Sequence, residues 1–184
     1  MAVAGLATLA AMGGDRKRAV ELFDRAYALD PSEGGNAYAA AQIVLDGGDA
    51  AEAERRLREV VKHHPDAVGA RNDLAWMLAE QGKDLDLALS LVEDARRRDP
   101  SPEILDTLGW VQFKRGEFEL AVESLEAAAA ARPESASVRY RLALALDKAG
   151  QAERARELLR SALAAGAFPE AEDARRELAR LDRS

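Results

Sequence analysis

The sequence predicts an all-α protein built from repeated helix pairs, and three observations lead to that expectation. Gly14, Gly48, Gly82, Gly116 and Gly150 stand 34 residues apart. Pro31, Pro65, Pro100 and Pro133 keep nearly the same beat, at spacings of 34, 35 and 33. Between these markers the apolar residues recur with the helix period and never alternate as a strand would. In the fourth unit Leu105, Leu108, Gly109 and Gln112 form one stripe, and Ala121, Val122, Leu125 and Ala128 form the next.

Composition agrees. Of 184 residues, 48% are apolar, enough to build a core. Only 5% are aromatic and much of the apolar share is alanine, which suits close helix packing better than a β-sandwich. There is no cysteine, so disulfides, thiolate metal sites and a cysteine nucleophile are excluded. The formal net charge of −7 opposes phosphate neutralisation. No apolar run reaches the roughly 20 residues of a membrane-spanning helix.

Each element follows from local chemistry. The glycine suits the left-handed turn that ends the first helix of a unit. The proline ends the second helix, because it biases the residue before it away from helix and donates no N–H. One extra residue in 83–87 explains the spacing of 35, and one fewer between Pro100 and Gly109 restores the phase. The expected units are about 1–33, 34–67, 68–101, 102–135 and 136–168, in a single array over 1–184. Pro169 is expected at the first position of a final helix, 169–182. Its narrow stripe of Ala171, Ala174, Leu178 and Leu181 would cover the fifth unit, with Arg175, Arg176, Glu177 and Arg180 facing water.

The spacing and slot pattern resemble the tetratricopeptide repeat family over essentially the whole chain. The small slot of the first helices holds Ala7, Ala41, Ala75, Gly109 and Ala143. The first small slot of the second helices holds Ala19, Ala53, Ala88, Ala121 and Ala155. The large slot there holds Phe23, Leu57, Val92, Leu125 and Leu159, and the second small slot Ala26, Val60, Ala95, Ala128 and Ala162. The family's Trp slot is never Trp here (Val3, Ala37, Arg71, Leu105, Arg139), and Ala167 replaces the fifth proline. The resemblance implies a right-handed α-solenoid that binds proteins or peptides in a concave groove and carries no catalytic residue, metal or cofactor. Units of this kind stabilise one another by stacking.

The N-terminal segment 1–12 is nearly all apolar and in phase with a first helix. It lacks the basic stretch that opens a signal peptide. Leu6, Leu9 and Met12 are expected to be exposed there and to offer self-association, or else contact with a partner or further chain. No lipobox or export signal is visible, and the location, cytoplasmic or periplasmic, stays open.

Catalytic candidates are few. His63 and His64 are adjacent at a helix end, about 100° apart, and are read as a solvated helix terminus rather than a chelating pair. Asp84 and Asp86 are an incomplete calcium loop. The basic runs Arg55–Arg56, Arg96–Arg98 and Arg175–Arg176 are interleaved with acids and read as solvated faces.

The candidate binding residues lie on the first helices, opposite the stripe. The second unit presents Tyr38, Gln42 and Leu45, and the third Asn72, Trp76 and Ala79, with Asp73 and Glu80 beside them. The fourth presents Asp106, Trp110 and Phe113, with Lys114 at the rim. The fifth presents Tyr140, Leu144 and Asp147, with Arg141 and Lys148 at the rim. Both tryptophans share one slot, and aromatics on a polar face mark binding anchors; the same rings could instead wedge between neighbouring helices. Open Trp faces among carboxylates favour a segment with apolar residues and at least one Arg or Lys. The family's Lys/Asn clamp for a terminal carboxylate is absent, since its slots hold Asn72, Trp76, Asp106 and Trp110. Asp73, Glu80, Glu103 and Asp106 argue against RNA.

A finer similarity covers about 70–182. The runs Asn72–Trp76, Leu105–Trp110, Arg139–Ala143 and Phe168–Glu170 resemble the C-terminal repeats of exosortase-associated bacterial tetratricopeptide lipoproteins, linked to envelope and exopolysaccharide systems. The function expected overall is a non-catalytic interaction scaffold; the alternative is an architectural or self-assembling segment of a longer protein in such a system.

Overall fold

A computed structural model of the chain describes residues 2–183. Met1 and Ser184, the ends of the expected array, lie outside the described residues. Among the described residues there are eleven α-helices and no strand: α1 Ala2–Met12, α2 Arg16–Leu29, α3 Gly34–Asp46, α4 Ala50–His63, α5 Val68–Gln81, α6 Leu85–Arg98, α7 Pro102–Arg115, α8 Phe118–Ala131, α9 Ala136–Lys148, α10 Ala152–Ala164 and α11 Ala171–Leu181.

The punctuation works as its chemistry requires. Gly14, Gly48, Gly82, Gly116 and Gly150 all adopt left-handed backbone, with φ between 64° and 86°. Each proline of the repeat lies two residues past a second helix, which ends at Leu29, His63, Arg98 and Ala131. Where Ala167 takes the proline's place, α10 stops at Ala164 and Gly166 turns the chain at φ 111°. Asp15, Asp49 and Ser135 cap α2, α4 and α9 by accepting from the N–H of Arg18, Glu52 and Val138. The extra residue of the third unit has a visible consequence. Asp84 caps α6 from left-handed backbone at φ 45°, the only described non-glycine there, and short polar side chains tolerate that region best. Asp86, the second carboxylate of the incomplete calcium loop, pairs with Arg115.

The chain divides into two compact units, one up to Met77 and one from Leu78, with the division inside α5. The repeat spacing carries no mark of it. In the first unit α1 packs on α2, α2 on α3 and α3 on α4. Ala7, Leu22, Phe23 and Ala40 make a core there, joined by Val3 and Ala10. In the second unit α6 to α11 pack in sequence, and α7 also touches α9. All five small residues of the first slot on the second helices are fully buried. The large slot is buried as well, from Phe23 to Leu159.

The last helix closes the second unit, with Ala174 and Leu181 buried and Leu178 partly so. Arg156 fixes it by donating to the Leu181 carbonyl from two nitrogens, at 3.0 and 2.7 Å. Pro169 is not at the first helical position. It sits in a turn, Glu170 is the N-cap, and the helix opens at Ala171.

The slot residues allow close approach because they are small. A Cβ built on Gly109 would lie 2.5 Å from Leu125 Cγ and 3.2 Å from the Ala121 carbonyl oxygen. Gly109→Ala gains about 0.5–1 kcal/mol of helix propensity. Forcing α7 from α8 costs about 1–3 kcal/mol, which decides the sign. Thermal unfolding is expected to show a lower Tm for Gly109→Ala; a Tm equal to or above the native value contradicts the packing.

Candidate functional site

The residues expected to face a partner fall into one set in each compact unit. In the first, Tyr38 on α3 donates to Asp73 Oδ2 on α5 at 2.8 Å. The Gln42 amide donates to the Tyr38 oxygen at 2.8 Å and reaches the same carboxylate at 3.5 Å. The Tyr38 ring lies on the backbone of Gly69, where a Cβ would come within 2.6 Å of the phenol oxygen. Burial and the Asp73 carboxylate push the phenol far above its ordinary range, so Tyr38 stays a donor. Gln42 remains exposed, while Tyr38, Asn72, Asp73 and Trp76 are partly buried. The Asn72 carbonyl oxygen is buried with no hydrogen-bond donor.

In the second unit the aromatic slot is occupied. Trp110 is 8% exposed. Its indole N–H donates to Glu80 Oε1 at 2.6 Å, and its ring stacks on Phe113 with centroids 5.0 Å apart and planes 6° apart. Lys114 Nζ stands 4.8 Å from the ring centroid and 3.9 Å from Glu80. The open Trp face expected from the sequence is therefore taken up at Trp110 by Phe113 and Lys114, with Glu80 holding the indole N–H. The physical reason is the depth of α7, which packs against α6, α8 and α9 and buries residues all round.

Asp106 and Arg141 do not line an open rim either. Both are buried, and the guanidinium grips the carboxylate through two bonds, Nε to Oδ1 at 2.8 Å and Nη2 to Oδ2 at 2.6 Å. The remaining nitrogen, Nη1, donates to Glu170 Oε1 at 3.0 Å, and Ser137 Oγ donates to the other Glu170 oxygen at 2.7 Å. One arginine thus joins α7, α9 and the N-cap of the closing helix. Tyr140 lies against Phe168, ring centroids 6.5 Å apart. Burial first, then the Glu177 and Glu170 carboxylates, raise its pKa. Leu144 and Phe113 pack partly buried on the core. Glu80 and Lys114 keep exposed side-chain surface, 49% and 30%.

Some functional-looking residues behave otherwise than the sequence suggests. His64 is partly buried, not solvated, and shares a 3.0 Å hydrogen bond with the Tyr27 hydroxyl. His63 is exposed beside Glu59. The described residues contain no His, Cys, Asp and Glu group suited to a metal. The basic runs are paired with acids: Arg55 and Arg56 with Glu52, Arg56 also with Asp24, Arg97 with Asp94, Arg175 with Glu172 and Arg176 with Asp173. Ser137, and the contacts that Glu170 makes, are not among the expectations from the sequence. Their contacts lack the spacing that marks the other pairs: Ser137–Glu170 and Arg141–Glu170 span 33 and 29 residues, whereas Tyr38–Asp73 and Asp106–Arg141 are both 35 residues apart, one repeat plus one residue.

Known proteins share this fold. The family pattern described as tetratricopeptide repeat matches residues 38–102 and 107–171, well over half of the chain. A TPR repeat-containing protein of Pseudomonas aeruginosa is 30% identical over 82 residues; the match covers 44% of this chain and only 14% of that protein. A thermophilic TPR protein of Thermus thermophilus superposes with a TM-score of 0.68 at 25% identity, covering 99% of this chain and 98% of the other. MamA from Desulfovibrio magneticus RS-1 gives 0.76 at 16% identity, over 89% and 92%. YrrB, described as a TPR protein with an unusual peptide-binding site, gives 0.72 at 20% identity, over 89% and 84%.

Two outcomes test the geometry. Trp110→Ala is expected to cost about 3–5 kcal/mol of stability, as truncation of a buried Trp does. Glu80→Gln, which keeps an acceptor for the indole, should cost far less; equal losses, or a stable Trp110→Ala, contradict the assignment. Tyr38 has a raised folded pKa, so its contribution is complete below the unfolded value of about 10 and is lost as pH climbs toward the folded value. Ultraviolet titration of native protein should find the Tyr38 and Tyr140 phenols ionising after an ordinary tyrosine, and Tyr38→Phe should remove one of the two.

Proposed function

The chain belongs to the tetratricopeptide repeat family, and on that premise we propose that it is a non-catalytic scaffold that binds a peptide segment or partner protein along the exposed faces of its first helices. The observation that carries this role is the Tyr38–Gln42–Asp73 cluster. Gln42 is exposed, yet it is held by two hydrogen-bonding neighbours on different helices. A polar group fixed before binding loses little freedom when a ligand arrives. Exposed Glu80 offers a carboxylate in the second unit. The description of YrrB as peptide-binding supports the same class of ligand. The ligand proposed is a segment with apolar residues and at least one Arg or Lys, drawn by Asp73 beside Gln42 in the first unit. No catalytic residue is proposed.

The envelope association suggested by residues 70–182 is left out of this role, because none of the relatives named above bears an exosortase or exopolysaccharide name.

Peptide display on the immobilised full chain tests the role. The selected peptides should carry Arg or Lys among apolar residues and bind with Kd values on the order of micromolar to tens of micromolar. Calorimetry should show weaker binding at higher salt. Gln42→Ala and Asp73→Asn should each weaken binding about fivefold or more, and Arg97→Ala should not. No enrichment, or unchanged affinity in both variants, refutes the role.

A further inference from the structure

One position on the first helices of the repeats changes its chemistry along the chain. It holds Ala37, Arg71, Leu105 and Arg139, each 34 residues from the last. The two arginines use it in a defined way. Arg71 is buried and donates from Nε to the carbonyl of Pro65, six residues earlier, at 2.9 Å. Arg139 donates from Nη1 to Ser161 Oγ on the second helix of its repeat, 22 residues later, at 3.1 Å. A guanidinium at this position therefore has two acceptor sites, one at the preceding proline and one on the second helix.

The second repeat keeps both acceptors and lacks the arginine. Pro31 stands six residues before Ala37, and Glu59 stands 22 residues after it, where the fifth repeat has Ser161. With only a methyl group at Ala37, a cavity of about 580 Å3 opens beside α2, α3 and α4, and Pro31, Ala37 and Glu59 all line it. Tyr27 and Val60 supply apolar wall. That volume lies in the range of ligand sites. The charges around it favour a cation. Arg55 closes its fork on Glu52 through Nε and Nη2, at 2.7 Å each. Arg56 is held by Glu52 and by both oxygens of Asp24. Glu59 is left with the His63 ring, at 3.3 Å, and is half exposed.

We propose that this cavity is a binding site for the arginine side chain of a peptide ligand, with the guanidinium between the Pro31 carbonyl and the Glu59 carboxylate and the stem against Tyr27 and Val60. Free arginine is a poorer fit. Its carboxylate would find Arg55 and Arg56 already engaged by Glu52 and Asp24. Lysine is poorer too, because a compact ammonium does not span two acceptors as a planar fork does. The site shares no residue with the Tyr38–Gln42–Asp73 cluster, so either can fail while the other stands.

The probe is N-acetyl-arginine N-methylamide, added to the isotope-labelled full chain and followed by amide NMR. The Ala37 and Glu59 resonances should shift and saturate with a Kd on the order of millimolar. The blocked lysine analogue and free arginine should each bind about threefold more weakly or worse. Glu59→Gln should weaken the arginine probe by a similar factor, and Asp73→Asn should not. Ala37→Arg supplies the side chain from within the repeat, as Arg71 and Arg139 do. In that variant Tm should rise by a few degrees, the probe should lose its effect, and adding Glu59→Gln should remove the rise. Equal binding of the arginine and lysine probes, a response that survives Ala37→Arg, or no response in the native chain overturns the proposal. Tighter binding of free arginine overturns it as well, since the ligand would then be the amino acid itself.

Discussion

Close approach of paired helices is the constraint on which the rest of the structure depends. It requires a residue no larger than alanine at a fixed place on each second helix, and the five alanines there are fully buried. At Gly109 even a methyl group meets Leu125 and the Ala121 backbone. Once helices lie this near, the large slot fills the remaining gap and the register of each pair is set. Everything polar on the first helices is then positioned by that register, the Tyr38–Asp73 bond and the Asp106–Arg141 pair included.

That dependence explains which features were legible in the sequence. The punctuation, helix period and small slots act within about 34 residues and leave a periodic trace, so helices, turns and core follow directly. The state of the polar and aromatic face does not, because it depends on depth. Trp76 and Trp110 occupy one slot, yet Trp110 is buried by Phe113, Lys114 and Glu80 on a helix packed against three others. Periodicity shows which side of a helix a residue takes and not how many neighbours that side meets. Pro169 illustrates the same limit at one turn: its helix starts later because Glu170 is held by Ser137 and Arg141 from outside the segment. The division inside α5 has no local signature at all.

The separation of 35 residues has a physical meaning of its own. A residue on one first helix meets the residue one repeat and one position further on the next. In the first unit the pair is a phenol and a carboxylate, and in the second a carboxylate and a guanidinium. A displaced register would leave a charge buried without its partner, which costs far more than the pair gains. These pairs therefore select the register in which the small slots meet, and the buried Asp106–Arg141 pair holds its part of the first-helix face away from any ligand.

A double-mutant cycle on Asp106 and Arg141 tests this most directly, using Asp106→Leu, Arg141→Met and the double variant in equilibrium unfolding. The account predicts a coupling above about 1.5 kcal/mol, with the double variant more stable than either single one. Effects that add to within about 0.5 kcal/mol would show that the pair selects nothing and would contradict it.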